Sequence, residues 1–132
     1  FALAMREKVS VPLMVTGGFR RREVMEQAIE SGAADLIGLG RPMCVVTDAP
    51  NKLLQGEAEL PRYEAQLSMF PPWLSFLNRI KALRAMATFG VIYWFYAQID
   101  ALGRTGQPEP GMSVFAATRQ VMSGQKQLLS GR

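Results

Sequence analysis

Two glycine turns carry the residues best able to do chemistry in this chain. They are Thr16-Gly17-Gly18-Phe19-Arg20 and Ile37-Gly38-Leu39-Gly40-Arg41-Pro42. Glycine lets a ligand approach backbone N–H donors closely, and successive N–H groups at a turn form a concavity for an anion. Arginine adds a planar fork that matches two phosphate oxygens. Amides of Gly17, Gly18 and Phe19 can serve one side of a phosphate. Gly40 can serve the other, with the Arg41 side chain beside it. Either turn alone reads as an ordinary loop, with Arg41 paired to a neighbouring carboxylate. The two together, one short helix apart, point to phosphate binding.

The elements around the turns must bring them together. Val9 to Val11 leads into a strand, Pro12 sits where a ladder N–H can be spared, and Leu13-Met14-Val15 is an apolar run. Arg22 to Ser31 has a helical stripe of Val24, Met25, Ala28 and Ile29. Gly32 is the expected left-handed terminator. Asp35-Leu36-Ile37-Gly38 is the second strand. Continuous apolar runs predict strands buried on both faces of a parallel sheet. The unit is βαβ, so both turns leave strand C-termini at the same end of the sheet. Pro42 opens a short helical turn. Asp48-Ala49-Pro50 opens another helix, which Gly56 ends.

Composition narrows the chemistry. The 132 residues carry 15 Lys and Arg against 11 Asp and Glu, a net charge of +4. The largest basic cluster, Arg20-Arg21-Arg22, lies at a glycine turn, which suits a small anion better than nucleic acid. There is no histidine and one cysteine, Cys44. No disulfide framework and no cysteine-rich metal site can be built. Cys44 reads as a small buried residue. Phe1 to Lys8 reads as the last turns of a helix, without the basic start or cleavage site of a signal peptide. A cytoplasmic location is expected.

The run Val11-Pro12-Leu13-Met14-Val15-Thr16-Gly17-Gly18-Phe19-Arg20, with Ser31-Gly32-Ala33-Ala34-Asp35-Leu36-Ile37-Gly38-Leu39-Gly40-Arg41-Pro42, resembles the C-terminal barrel end of the old yellow enzyme family. These are NADH:flavin oxidoreductases that bind FMN. The resemblance covers residues 1–61 or so. It implies an α/β fold in which residues 1–60 are the C-terminal βαβ portion of a TIM (β/α)8 barrel, strands 7 and 8. It implies that Gly17, Gly18 and Phe19 lie at the FMN phosphate, that Gly38 and Gly40 form the second loop, and that Arg41 contacts the cofactor. Arg20 is a weaker candidate, and Arg21 and Arg22 belong to the solvated start of the helix. The parent enzyme would use FMN with NAD(P)H as reductant and a small activated alkene as substrate. The family's catalytic His and Tyr groups come from upstream strands, so no catalytic residue is assigned and the chain alone is expected to be inactive. One cysteine cannot ligate the iron–sulfur cluster of some relatives. The 2-hydroxy-acid oxidases share a Gly-Gly and a Gly-Arg-Pro turn and are the alternative family. A Rossmann site fits poorly, because Gly38-Leu39-Gly40 lacks the third glycine.

Residues 61–132 read as a helical C-terminal extension. Pro71-Pro72 breaks the chain. Trp73 to Leu102 is expected as one long helix, with Phe76, Ile80, Leu83, Ala87, Val91 and Trp94 at helical spacing. Gly103 to Gly111 reads as a loop. Ser113 to Leu129 reads as a last helix with Ser113 as its N-cap. The long helix is expected to pack on the barrel or in a homo-oligomer. A membrane surface comes second, because Arg79, Lys81 and Arg84 flank an apolar stretch. A non-catalytic barrel remnant with a docking tail is the competing function. Tyr93-Trp94-Phe95-Tyr96 point in different directions on a helix and therefore pack instead of stacking on a flavin. A βαβ unit with loosely associated helices is expected, unstable when expressed alone and weak in binding FMN.

Overall fold

The computed structural model describes residues 2–131, and the side chains at positions 78 and 128 lie outside that description. Phe1 and Arg132, the ends of the two expected segments, also lie outside the described residues. The chain forms two compact units, Phe1–Arg62 and Tyr63–Arg132.

The first unit is an α/β piece in which helices outnumber strands. Helix α1 (Ala2–Arg6) precedes strand β1 (Met14–Thr16), helix α2 (Arg22–Glu30), strand β2 (Leu36–Gly38), a 3-10 turn (Arg41–Cys44) and helix α3 (Ala49–Leu54). The strands pair in parallel, with Met14 opposite Leu36, Val15 opposite Ile37 and Thr16 opposite Gly38. This is the expected βαβ order. Gly32 holds φ +72° and ends the α2 segment, a conformation that costs other residues a Cβ clash.

The core of this unit is Met25, Ala49, Leu53 and Leu60, with Phe19, Ile37, Leu39, Met43 and Val46 packed against it. Pro42 opens the 3-10 turn and is buried. The strands are not buried on both faces as expected: Met14 is 66% and Leu36 56% exposed. A two-stranded sheet covers one face with its helices, and the alternation of the pleat turns this register pair outward. Helix α3 has Asp48 at its N-cap without a side-chain cap bond, and its C-cap is Gln55, one residue before Gly56 at φ +107°. The chain then returns to the start of α2. Leu60 N–H donates to the Arg20 carbonyl at 2.8 Å, and Arg22 N–H to the Ala58 carbonyl at 2.9 Å.

The second unit is all helical. A short helix α4 (Tyr63–Gln66) leads to a 3-10 segment (Pro72–Arg79), helix α5 (Lys81–Thr105) and helix α6 (Val114–Ser130). The long helix expected from Trp73 is therefore broken. Leu74 N–H closes on the Pro71 carbonyl at 2.9 Å, so the double proline starts the segment in tight turns. β-branched Ile80 is extended (φ −80°, ψ 116°) and resets the backbone before α5. At its other end α5 runs past Gly103, which the sequence placed in a loop. Arg104 pairs with Asp100 at 3.0 Å, Thr105 Oγ1 donates to the Ala101 carbonyl at 2.9 Å, and Gly106 closes the helix at φ +76°.

Helices α5 and α6 are not loosely associated. The two helices pack on each other, and Trp94, Phe95, Ala97, Gln98 and Ala101 of α5 and Val114 and Ala117 of α6 are buried. A Cβ on Gly90 would overlap the end of Met69 and lie 2.9 Å from Val114 Cγ1, so this glycine permits the close approach. Trp94 Nε1 donates to the Met112 carbonyl at 2.7 Å, and the Glu109 amide donates to Gln98 Oε1 at 2.7 Å. Ser113 Oγ accepts from the Ala116 amide at 3.2 Å, the expected N-cap. Trp94 meets Phe95 edge-on at 5.1 Å and Tyr93 meets Tyr96 at 6.4 Å, so the aromatic quartet splits into a buried pair and a more exposed one.

Candidate phosphate cleft at the strand ends

Parallel pairing fixes where the glycine turns go. Thr16 and Gly38 are register partners and the last residues of their strands. Both turns therefore leave the sheet side by side, at the strand C-termini where open α/β sheets place their ligands. Thr16, Gly17, Gly18, Phe19, Arg20, Gly38, Leu39, Gly40 and Arg41 line one cleft of about 210 Å³. Gly17, Gly18, Phe19, Gly38, Gly40 and Arg41, the six residues singled out in the sequence, are thus brought together. Thr16 and Leu39 join them, and their signal was position alone: each flanks a glycine at a strand end.

The glycines do different things. Gly17 and Gly18 hold φ +135° and +72°, a region L side chains rarely adopt. A Cβ on Gly17, Gly18 or Gly40 meets nothing within 4 Å, so these backbones face open space. Gly38 differs. A Cβ there would overlap Thr16 Oγ1 and lie 2.9 Å from Thr16 Cβ. Its slot is filled from across the sheet, so Gly38 is needed for strand pairing as well as for the cleft.

Arg20 and Arg41 are the charged residues among the described lining of the cleft. Arg20 is buried, and its Nη1 donates to the Phe19 carbonyl at 2.7 Å, which stiffens the first turn. Arg41 is exposed at the mouth. Arg22 is turned to Glu26 at 2.7 Å on the helix surface, as expected of the solvated helix start. Cys44, expected buried, is half-buried in the turn that follows. Partial burial raises its thiol pKa, so it stays protonated and unreactive near neutral pH.

The larger space in this unit is chemically bland. A cleft of about 640 Å³ between α2, β2 and α3 is walled by Met25, Ile29, Leu36, Ile37, Leu53 and Leu54, with Arg22, Glu26 and Glu30 at its rim. Of its charged groups, Arg22 pairs with Glu26 at 2.7 Å. No cluster of His, Cys, Asp and Glu able to hold a metal occurs among the described residues.

The chain is similar to known proteins over part of their length. The chain is 31% identical over 115 residues to the NADH-dependent flavin oxidoreductase iccE of Talaromyces variabilis, covering 81% of this chain and 26% of that protein. It is 54% identical over 46 residues to the NADH-dependent flavin oxidoreductase iliE of Neonectria sp. (strain DH2), covering 34% of this chain and 6% of the relative. Over the part it spans, the chain is similar to NADH-dependent flavin oxidoreductases, an old yellow enzyme-like family. The chain is also 33% identical over 58 residues to the cinnamate reductase of Clostridium sporogenes, covering 44% of this chain and 9% of that enzyme. It spans about a quarter of the length of the first of these relatives. No family profile and no solved structure matches it.

Proposed function

We propose that this chain supplies the flavin-phosphate end of an NADH-dependent flavin oxidoreductase, with FMN as the cofactor. One observation carries the proposal: the six residues picked out by the sequence line a single cleft where two parallel strands end. At about 210 Å³ the cleft is smaller than the roughly 300–1,000 Å³ of a whole-ligand pocket. That size suits a phosphate group and not an isoalloxazine ring. Gly17, Gly18, Phe19 and Gly40 would offer backbone donors, and Arg41 a charge-assisted fork. β1 and β2 would then be the seventh and eighth strands of a TIM barrel, whose phosphate site commonly lies after these strands.

In the whole protein, bound flavin would accept hydride from NADH and pass it to a small substrate. The cinnamate reductase among the relatives supports an activated alkene. The residues of this chain anchor and orient the cofactor, which carries the redox chemistry. Among the described residues lining the cleft there is no His or Tyr.

Comparing FMN with riboflavin tests the proposal in the intact protein, because riboflavin has the same ring and no phosphate. FMN is expected to bind with its flavin absorption band perturbed, and riboflavin far more weakly. Arg41→Ala is expected to weaken FMN roughly 10- to 100-fold, the size of a lost hydrogen bond to a charged group, and to leave riboflavin unchanged. Equal affinity for both flavins would remove the phosphate role. A protein that stays colourless after FMN is added would remove the flavin role.

A further inference from the structure

Helix α5 has two apolar faces, and only one is used. Leu83, Ala87, Gly90, Trp94, Ala97 and Ala101 alternate three and four apart, and this stripe turns toward the interior of its unit. Ala85, Phe89, Ile92, Tyr96 and Ile99 repeat the same spacing on the other side. Phe89 is 58%, Ile92 42%, Tyr96 52% and Ile99 52% exposed. Four large side chains thus form an open ridge about 15 Å long at 1.5 Å per residue.

Charge says what this ridge faces. Residues 1–62 hold eight Lys and Arg against eight Asp and Glu, so the first unit is neutral. Residues 63–132 hold seven against three, which is the entire +4 of the chain. Three of the seven, Arg79, Lys81 and Arg84, lie at the start of α5 and just before it, all exposed. On a helical wheel Lys81 falls on the ridge and Arg84 on its flank. At the far end Asp100 is already engaged by Arg104 at 3.0 Å and Gln120 at 2.8 Å. A second copy would bring like charges together. No helix of the described residues is long and apolar enough to cross a membrane.

We propose that the exposed face of α5 rests on an anionic lipid surface, with Phe89, Ile92, Tyr96 and Ile99 at the headgroup boundary. Arg79, Lys81 and Arg84 extend their apolar stems along the ridge and place their charges among lipid phosphates. Apolar burial and charge attraction act together, as surface binding without a span requires. This inference does not depend on the flavin reading.

The intact protein is mixed with phosphatidylcholine vesicles, with and without phosphatidylserine, and sedimented. Binding is expected only with phosphatidylserine and is expected to fall as salt is added. Replacing Arg79, Lys81 and Arg84 with Gln is expected to lower partitioning roughly 100-fold. The pair Phe89→Ser and Ile92→Ser keeps every charge and is expected to lower it about tenfold or more. Helical circular dichroism, retained in both variants, shows that folding is intact. Absent binding, equal binding to both vesicle types, or a stable dimer that the Ser pair dissolves would each overturn the proposal.

Discussion

Asp35 accepts both Nη donors of Arg6, each at 2.6 Å, and the Leu13 amide at 2.7 Å. One carboxylate therefore ties the end of α1, the approach to β1 and the start of β2. Its hydrogen bonds from Arg6, then from Leu13, hold the Asp35 carboxyl below the usual carboxylate range. A depressed folded pKa stabilises the fold above the unfolded pKa and stops doing so as pH falls through the folded value. Acid titration of stability is the check. Asp35→Asn is expected to be less stable at neutral pH and to lose less on acidification. Parallel acid profiles for the two proteins would show that the clamp is not an electrostatic contributor.

Gly38 and Thr16 are coupled across the sheet. Gly38→Ala forces a Cβ against Thr16 Cβ at 2.9 Å, and the strand positions leave little room to yield. Overpacking of this kind costs about 1–3 kcal/mol. A urea melt of the intact protein is expected to show that loss together with weaker FMN binding. Thr16→Gly in the same chain is expected to recover part of both, since it removes the clashing atoms.

Gly90 sits where α5 lies against Val114 and Thr118. Alanine gains about 1 kcal/mol in helix propensity, and the overlap with buried Val114 costs about 1–3 kcal/mol. A net loss of up to about 2 kcal/mol is expected for Gly90→Ala. The same change at Gly103, whose Cβ position is open, is expected to stabilise the protein. Thermal melts of the two variants moving in opposite directions would separate packing from propensity.

Trp94 is fully buried and donates to the Met112 carbonyl, while Trp73 is exposed. Trp94→Phe removes the donor and leaves the half-buried Met112 carbonyl without it. A loss of about 1–3 kcal/mol is expected. It is readable by fluorescence: a soluble quencher should act strongly on the remaining Trp73 emission and weakly on that of Trp94.

Short-range patterns were legible from residue types. The βαβ order, Gly32 as helix terminator, Pro42 as the opening of a turn and Ser113 as an N-cap follow from local chemistry, because each depends on a φ preference or one nearby hydrogen bond. The six cleft residues were legible for the same reason. Glycine and arginine at strand ends announce a capacity for anions, and parallel pairing can bring the two turns together in only a few ways.

Tertiary packing decided the rest. An all-round apolar α5 cannot indicate in one dimension which stripe α6 will cover, because both repeat at three and four residues. The break at Ile80 and the helical state of Gly103 depended on neighbouring turns: the tight start at Pro71 and the Arg104–Asp100 pair. Gly38 read as a ligand glycine until its register partner Thr16 was seen to fill the Cβ slot. The sequence by itself determined which groups could meet a phosphate. Only the folded chain decided which glycines face open space, which face a strand partner, and which side of α5 remains uncovered, since these depend on distances between residues far apart in the chain.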